Sequence, residues 1–522
     1  MNVLRRVYVW LKERLAKKVD SFDSYQFWIT LVLFAHNHNR KILLPKNLDI
    51  DTHVHKYPPS KYGYNSKLKF NVGKIYYLLS LLTHIPARNK DLITDDGWVP
   101  ISMAIVRNNI KDIIWYKDYL IATGVIECDN VYIPNEKAYW YRWSPVYIDS
   151  EFELRDVLCP HEDKAYFASE EDRGLMNYPY LTHWYESNLL SIDRCVLDYS
   201  KSIYQAKMQG LLPKSINSST NQPKNPKTQY EASIVNIDKI FDHNYEVHID
   251  TTVHRLHSVI TNMQSDFRNF LSYDGKELVN IDIHNSQPYL ACLLLNPMFW
   301  DDKSPLPISI GCLHSNIQDL FNHHDVMSEI REFFKSHNTS EFQLYIKNVA
   351  SGKFYEEFVD VAKSKLGLMI SRKEAKTLMF YILFSSNKGQ HDNPTINELK
   401  KLFSHEVYPQ VAELFKIIKR SHKSIKAEKQ HNRLACLLQS IESEIILHRV
   451  CKRIWIEHNQ QVPIFTIHDS IATTIPNKDI VYSIMKEELT KAIGISPCLD
   501  ASLWNIKNVK YPNLLYTCVD KS

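Results

Sequence analysis

Residues 278–294, LVNIDIHNSQPYLACLL, constrain the fold of this chain more than any other stretch. Leu278 to Ile283 is mostly branched and apolar, as a buried strand is. Tyr289 to Leu295 is apolar and free of Gly and Pro, as a buried helix is. Between the two lies a polar block, and Asp282 closes the strand, where functional side chains are usually mounted on a rigid element. A helix N-cap at Asn285 or Ser286, with Pro288 in the first turn, is the structural explanation. A site at the strand end is the functional one.

Other segments supply candidate partners for Asp282. In SRKEAKTLMFYILFSS, residues 371–386, Arg372, Lys376, Phe380 and Phe384 recur every four residues and so share one stripe of a helix. NRLACLLQSIESEIILHRV, residues 432–450, reads as a helix with Gln439 in an otherwise apolar neighbourhood. VPIFTIHDSIATTIP, residues 462–476, reads as strand, a tight turn at His468-Asp469, then strand. Upstream, residues 72–150 give helical patterns, with Ile113, Tyr116 and Leu120 on one face and Gly124 placed as a C-terminal cap. Two alternating segments around the turn NEK follow, which is the element order of a winged helix. Lys111, Lys117, Lys137 and Arg142 are its candidate phosphate contacts.

Several classes are excluded. The chain has 522 residues, a length for roughly three or four domains. A formal net charge of +4 means that nucleic-acid affinity must come from local basic surface. Only 12 glycines are present, and neither a P-loop nor a dinucleotide fingerprint is found. Nine scattered cysteines without a CxxC pair argue for a reducing compartment and against structural zinc. His53 and His55 in DTHVH read as part of a solvated loop. The basic amphipathic residues 1–20 lack a long apolar core, and no run reaches the eighteen apolar residues of a membrane span. A soluble, cytoplasmic protein is expected.

The ordered set of segments resembles the family A DNA polymerases, the bacterial DNA polymerase I superfamily that includes the single-subunit phage-type RNA polymerases. Thr251, Arg255, Leu256, Ser258, Asn262 and Gln264 stand in the order of the family's conserved run ahead of its palm. VNIDIHNSQPYL fits its first catalytic motif, Arg372, Lys376 and Phe380 its second, and IHDS its third. Tyr408, Pro409 and Val411 match a further helical motif of the family, and Gln439 another. The resemblance spans about residues 250–476.

It implies a helix-rich α+β fold, a right-hand polymerase of palm, fingers and thumb behind a winged-helix-like domain. The expected division is an N-terminal helical region (1–65), a winged-helix-like domain (66–150), a helical connector or thumb-like segment (151–210), a flexible linker (211–230) and palm with fingers (231–522). An inserted segment is expected at about 305–363. The implied reaction is two-metal nucleotidyl transfer to a nucleic acid 3′ end. Asp282, Asp469 and the Ile283 carbonyl would hold two Mg²⁺ ions, with Mn²⁺ as a substitute. Asp282, Asp469, Arg372 and Lys376 are the implied catalytic residues, with Arg372 and Lys376 gripping the triphosphate. Phe380, Phe384 and Gln287 would meet the nucleotide, and Arg255, Asn262, Gln264, Gln439 and His468 the nucleic acid. The implied partners are a DNA primer-template and dNTPs, with RNA or rNTPs as the alternative, and a docking partner for the winged helix. The expectation is a DNA polymerase of phage, plasmid, mobile-element or defence type. A primase or RNA polymerase on the same fold, and an inactive nucleic-acid-binding scaffold, are the rivals. Ser470 stands where DNA polymerases carry Glu, Gln287 where they carry a Glu that blocks the 2′-hydroxyl, Phe384-Ser385 where the family has Tyr-Gly, and His254 where it has Gly.

Overall fold

The strand predicted around Asp282 is Lys276–Ile283, and it is the middle of a six-stranded sheet. The computed structural model describes residues 39–515 apart from 65–68, 134–136, 160–174, 176–177, 218–221, 322–323, 338–339 and 421–431. Lys276–Ile283 is flanked antiparallel by Ser470–Thr474 on one side and Leu499–Trp504 on the other. Phe465–Ile467 extends the sheet beyond Ser470–Thr474. Leu271–Tyr273 pairs with the start of the central strand and in turn with Leu190–Ile192. Val279, Ile281 and Ile283 are buried and alternate with the half-buried Asn280 and Asp282, so the strand buries one apolar face and still carries Asp282 near its end.

Helices cover this sheet. Ser286–Leu294 follows the central strand directly and is almost wholly buried. Asn285 is its N-cap at φ 55, a left-handed conformation that Asn tolerates better than most residues. The Asn285 amide donates to the carbonyl of Gly352 (3.1 Å). Gly352 itself has φ +74, and a Cβ there would stand 3.0 Å from Cys498 Sγ, so this junction needs glycine. His324–Ser336, Ser340–Ala350 and Phe354–Leu366 fill the region expected as an insert. Arg372–Phe384 begins at a capping box of Ser371 and Glu374. Asn432–Ser443 runs on through a π-helical stretch, Glu444–Cys451.

The N-terminal elements form a second core. Helices Val72–Arg88, Met103–Asn109 and Ile113–Ala122 precede strands Ile126–Cys128 and Trp140–Trp143. Val99–Pro100 lies beside Trp140–Trp143, which lies beside Ile126–Cys128. Ile113, Tyr116 and Leu120 are buried together as expected, and Gly124 follows the helix at φ +72. The apolar core here spans Ile42 to Cys159, and the larger one spans Leu175 to Val509.

Four expectations need correction. The first region is not only helical: Asn39–Pro45 is a strand paired along its length with Phe152–Leu158, so residues assigned to the connector complete the N-terminal core. DTHVH is not a loop but the helix Ile50–Lys56, in which His53 is buried and bonds Thr123 Oγ1 (2.9 Å). The stretch after the second hairpin strand turns into the short helix Pro145–Ile148. The segment 211–230 is not a free linker. Asn225 caps the helix Pro226–Phe241 by accepting from the amides of Lys227 and Thr228. Asn217 donates to the Asp91 carbonyl (2.6 Å), Asn225 to that of Asp95 (2.9 Å), and Lys214 pairs with Asp95 (2.7 Å). The polar residues that made the segment look solvated bond the first core instead, and the two cores divide between Cys159 and Leu175. The basic residues 1–20 and most of the NEK turn lie outside the described residues.

Candidate active site

Three elements bring the predicted chemistry to one end of the sheet. Asp282 stands directly across from Ser470 on one neighbouring strand and from Asp500 on the other. Asp469 belongs to the two-residue turn between Phe465–Ile467 and Ser470–Thr474, with His468 at φ 55. Burial and the nearby charge of Asp469 push the Asp282 carboxyl up to about 7, while Lys376 and the Ile283 N–H pull it down. Two carboxylates held this way repel, and a cation between them would relieve both the repulsion and the burial. Among the described residues no group of three His, Cys, Asp or Glu side chains is placed to hold a metal ion. The donor chemistry of Asp282, Asp469 and the Ile283 carbonyl nevertheless fits a hard divalent cation that completes its shell with water and substrate oxygens.

The helix Arg372–Phe384 lays its stripe beside these carboxylates. Lys376 is exposed, close enough to Asp282 to lower its pKa, and its Nζ lies 5.7 Å from the Phe380 ring. Phe380 is 39% exposed and tilts against Phe384 at 5.5 Å. Arg372 donates to Glu356 Oε1 (2.6 Å) and to His284 Nε2 (3.1 Å), and lies over the Tyr355 ring (5.4 Å). Phe384 leads into Ser385, whose carbonyl, with that of Ile382, accepts from the buried Lys419 amine (3.2 and 2.6 Å).

Below the sheet end is a buried ionic network that sequence reasoning did not contain. Arg255 donates Nε to Glu442 Oε1 (2.8 Å) and Nη2 to Glu442 Oε2 (2.7 Å). Gln287 Nε2 donates to the same Oε2 (3.0 Å). Glu442 is 1% exposed, and burial followed by Asp469 pushes its carboxyl up to about 7 against the pull of Arg255. Arg255 and Gln287, expected at the duplex and at the sugar, therefore share one buried carboxylate. Ser470 is buried and donates back to the Ile467 carbonyl (3.1 Å), which closes the turn. His468 is held neutral: burial and the charges of Arg255, His257, Arg268 and Lys90 push its imidazole down to about 3.

The remaining predicted contacts are dispersed. Gln439 lies one turn before Glu442 on Asn432–Ser443, half-buried. Asn262 ends the short helix Val259–Asn262. Gln264 donates to Ser233 Oγ and accepts from the Gln229 amide, both on the helix Pro226–Phe241. Glu442 carried a signal, an acid inside an apolar helix, where only a partner makes burial tolerable. Asp500 and His284 carried none, since each reads as an ordinary polar residue until the register places Asp500 opposite Asp282 and His284 beside Arg372.

No protein-family model matches the sequence, and no curated protein sequence matches it. Among solved structures, the chain is similar to the POL domain of Pol1 from M. smegmatis in complex with DNA primer-template and dNTP. The TM-score is 0.35 and the identity 12%, over 66% of this chain and 71% of that one.

Proposed function

We propose that the chain is a nucleotidyltransferase that extends a nucleic acid 3′ end, a DNA polymerase using dNTPs on a primer-template. The observation that carries this reading is the closeness of Asp282 to Asp469, whose neighbour Ser470 pairs with Asp282, beside the helix stripe that carries Arg372 and Lys376. Asp282, Asp469 and the Ile283 carbonyl would hold Mg²⁺, which when bound supplies charge neutralisation and lowers the pKa of an attacking hydroxyl. Arg372 and Lys376 bind the triphosphate, and Lys376 holds at Nζ a proton for the departing pyrophosphate. Phe380 packs the incoming sugar and base, and neutral His468 supports the primer end. Gln287 crowds the 2′ side of the sugar from a fixed position, because Glu442 holds its amide.

The elements from Val72 to Trp143 are read as a winged helix that docks the enzyme on DNA or on a protein. The helices around Arg372–Phe384 are read as fingers, and the six-stranded sheet as palm. Ribonucleotide use is the second reading, favoured by Ser470, whose hydroxyl is spent on its own turn. Primer extension with each nucleotide set, with and without template, tests both. Template-dependent growth with dNTPs is expected, and no incorporation with either set in Mg²⁺ or Mn²⁺ would refute the reading.

A further inference from the structure

The region expected as an insert reaches the candidate site through a short series of contacts. Tyr345 on Ser340–Ala350 donates to the Pro288 carbonyl (3.3 Å), and the Gly352 carbonyl accepts from Asn285 (3.1 Å). Both bonds fasten the segment to the start of the helix that follows the Asp282 strand. Two residues beyond Gly352 the helix Phe354–Leu366 begins, and its first turn carries Tyr355 and Glu356. Tyr355 is buried, so its ring is a fixed surface, whereas the Glu356 side chain is 44% exposed.

Arg372, the first residue of its own helix, meets both. Its Nε donates to Glu356 Oε1 (2.6 Å), its Nη2 to His284 Nε2 (3.1 Å), and its guanidinium carbon lies 5.4 Å from the centre of the Tyr355 ring. A guanidinium is a flat, rigid fork of donors, so two bonds on different nitrogens fix its plane. Nη1 is left without an acceptor among the described residues. His284 directly follows Ile283, so the fixed fork stands at the strand end that carries Asp282. An ion pair this exposed adds little to the stability of the fold. What it does is set the direction of Arg372, and a phosphate oxygen is the acceptor that such a fork suits best.

We propose that the expected insert is part of the nucleotide site. Glu356 is a positioning residue that turns Arg372 against Tyr355, so that Nη1 takes an oxygen of the incoming triphosphate. This deepens the nucleotidyltransferase reading and rests on it.

Equilibrium binding of a fluorescent dATP analogue to the full chain, in Mg²⁺ and without primer, tests the assignment. Glu356→Ala should weaken binding about fivefold, the upper range for an exposed pair. Glu356→Gln keeps an acceptor for Nε and should recover most of that loss. If Glu356 acts through Arg372, Glu356→Ala made in an Arg372→Ala protein should change affinity by less than about twofold. Glu356→Ala that binds as well as the parent or better overturns the proposal, and so does a loss that persists in full without Arg372. A parent that neither binds the analogue nor extends a primer overturns the nucleotidyltransferase reading beneath it.

Discussion

Glu442 lends the larger core a pH dependence whose sign and size follow from its surroundings. Burial, reinforced by Asp469, pushes this carboxyl from the ordinary 4.5 up to about 7, against Arg255 and Gln287. The folded chain therefore keeps a proton that the unfolded chain has released. Its stabilising contribution is complete below about pH 4.5 and is lost as the pH climbs through 7. At roughly 1.36 kcal/mol per pH unit, the interval corresponds to about 3 kcal/mol. Glu442→Gln preserves the shape and an acceptor for Arg255, yet cannot titrate. Urea unfolding of both proteins from pH 5 to 8, without divalent cations, isolates the effect. Asp282 titrates over a similar range in each and largely cancels in the difference. The parent should lose about 3 kcal/mol more than Glu442→Gln across that range. Parallel curves for the two proteins would refute the assignment of a raised carboxyl at this position.

Asp282→Asn or Asp469→Asn should abolish nucleotide incorporation, since each removes several kcal/mol of transition-state stabilisation, while duplex binding persists; substantial extension by either purified variant in a gel assay would remove the two-carboxylate mechanism. Gln287→Ala should raise ribonucleotide incorporation, because crowding in a packed site costs about 1–3 kcal/mol; single-turnover rates with matched rNTP and dNTP check this, and an unchanged ratio would show that Gln287 does not sense the sugar. Lys419→Met should raise the KM for nucleotide several-fold, since the loss of two hydrogen bonds from a buried amine, about 0.5–1.5 kcal/mol each, frees the end of the helix that carries Lys376; equal KM values for variant and parent would make that cap purely structural.

The candidate site at the end of the sheet was legible because its signals are local. A strand that ends in Asp, a helix with one stripe of cations and aromatics, and a hairpin with His-Asp at its turn each announce their conformation within a dozen residues. Reading them together grouped Asp282, Asp469, Arg372 and Lys376, and the fold sets Asp469 and Lys376 near Asp282 with Arg372 bonded to the adjacent His284. What remained hidden depends on contacts between distant segments. Nothing near Leu190 announces an edge strand of this sheet, and nothing near Asn39 announces the partner of Phe152–Leu158. The error at 211–230 has the same root. Composition reports that Lys214, Asn217 and Asn225 are polar, but only the folded chain reveals that their partners are Asp91 and Asp95. The buried bonds of Arg255 and Gln287 stayed hidden because Glu442, which accepts from both, enters from a helix more than a hundred residues downstream.

The position of Leu499–Trp504 against the central strand has a consequence for how the protein comes into being. Asp282 and Asp500 face each other although roughly two hundred residues separate them in the chain, a separation that makes pairing slow. During synthesis the Asp282 strand emerges first, paired only at Lys276 and Glu277 with Leu271–Tyr273, and waits with both edges open from Leu278 onward, because Ser470–Thr474 and Leu499–Trp504 both follow it. An open, apolar strand edge is a template for unwanted pairing. Expression of this protein should therefore respond to chaperone supply and to temperature, and the nascent chain should not assemble the candidate site until its downstream strands have left the ribosome.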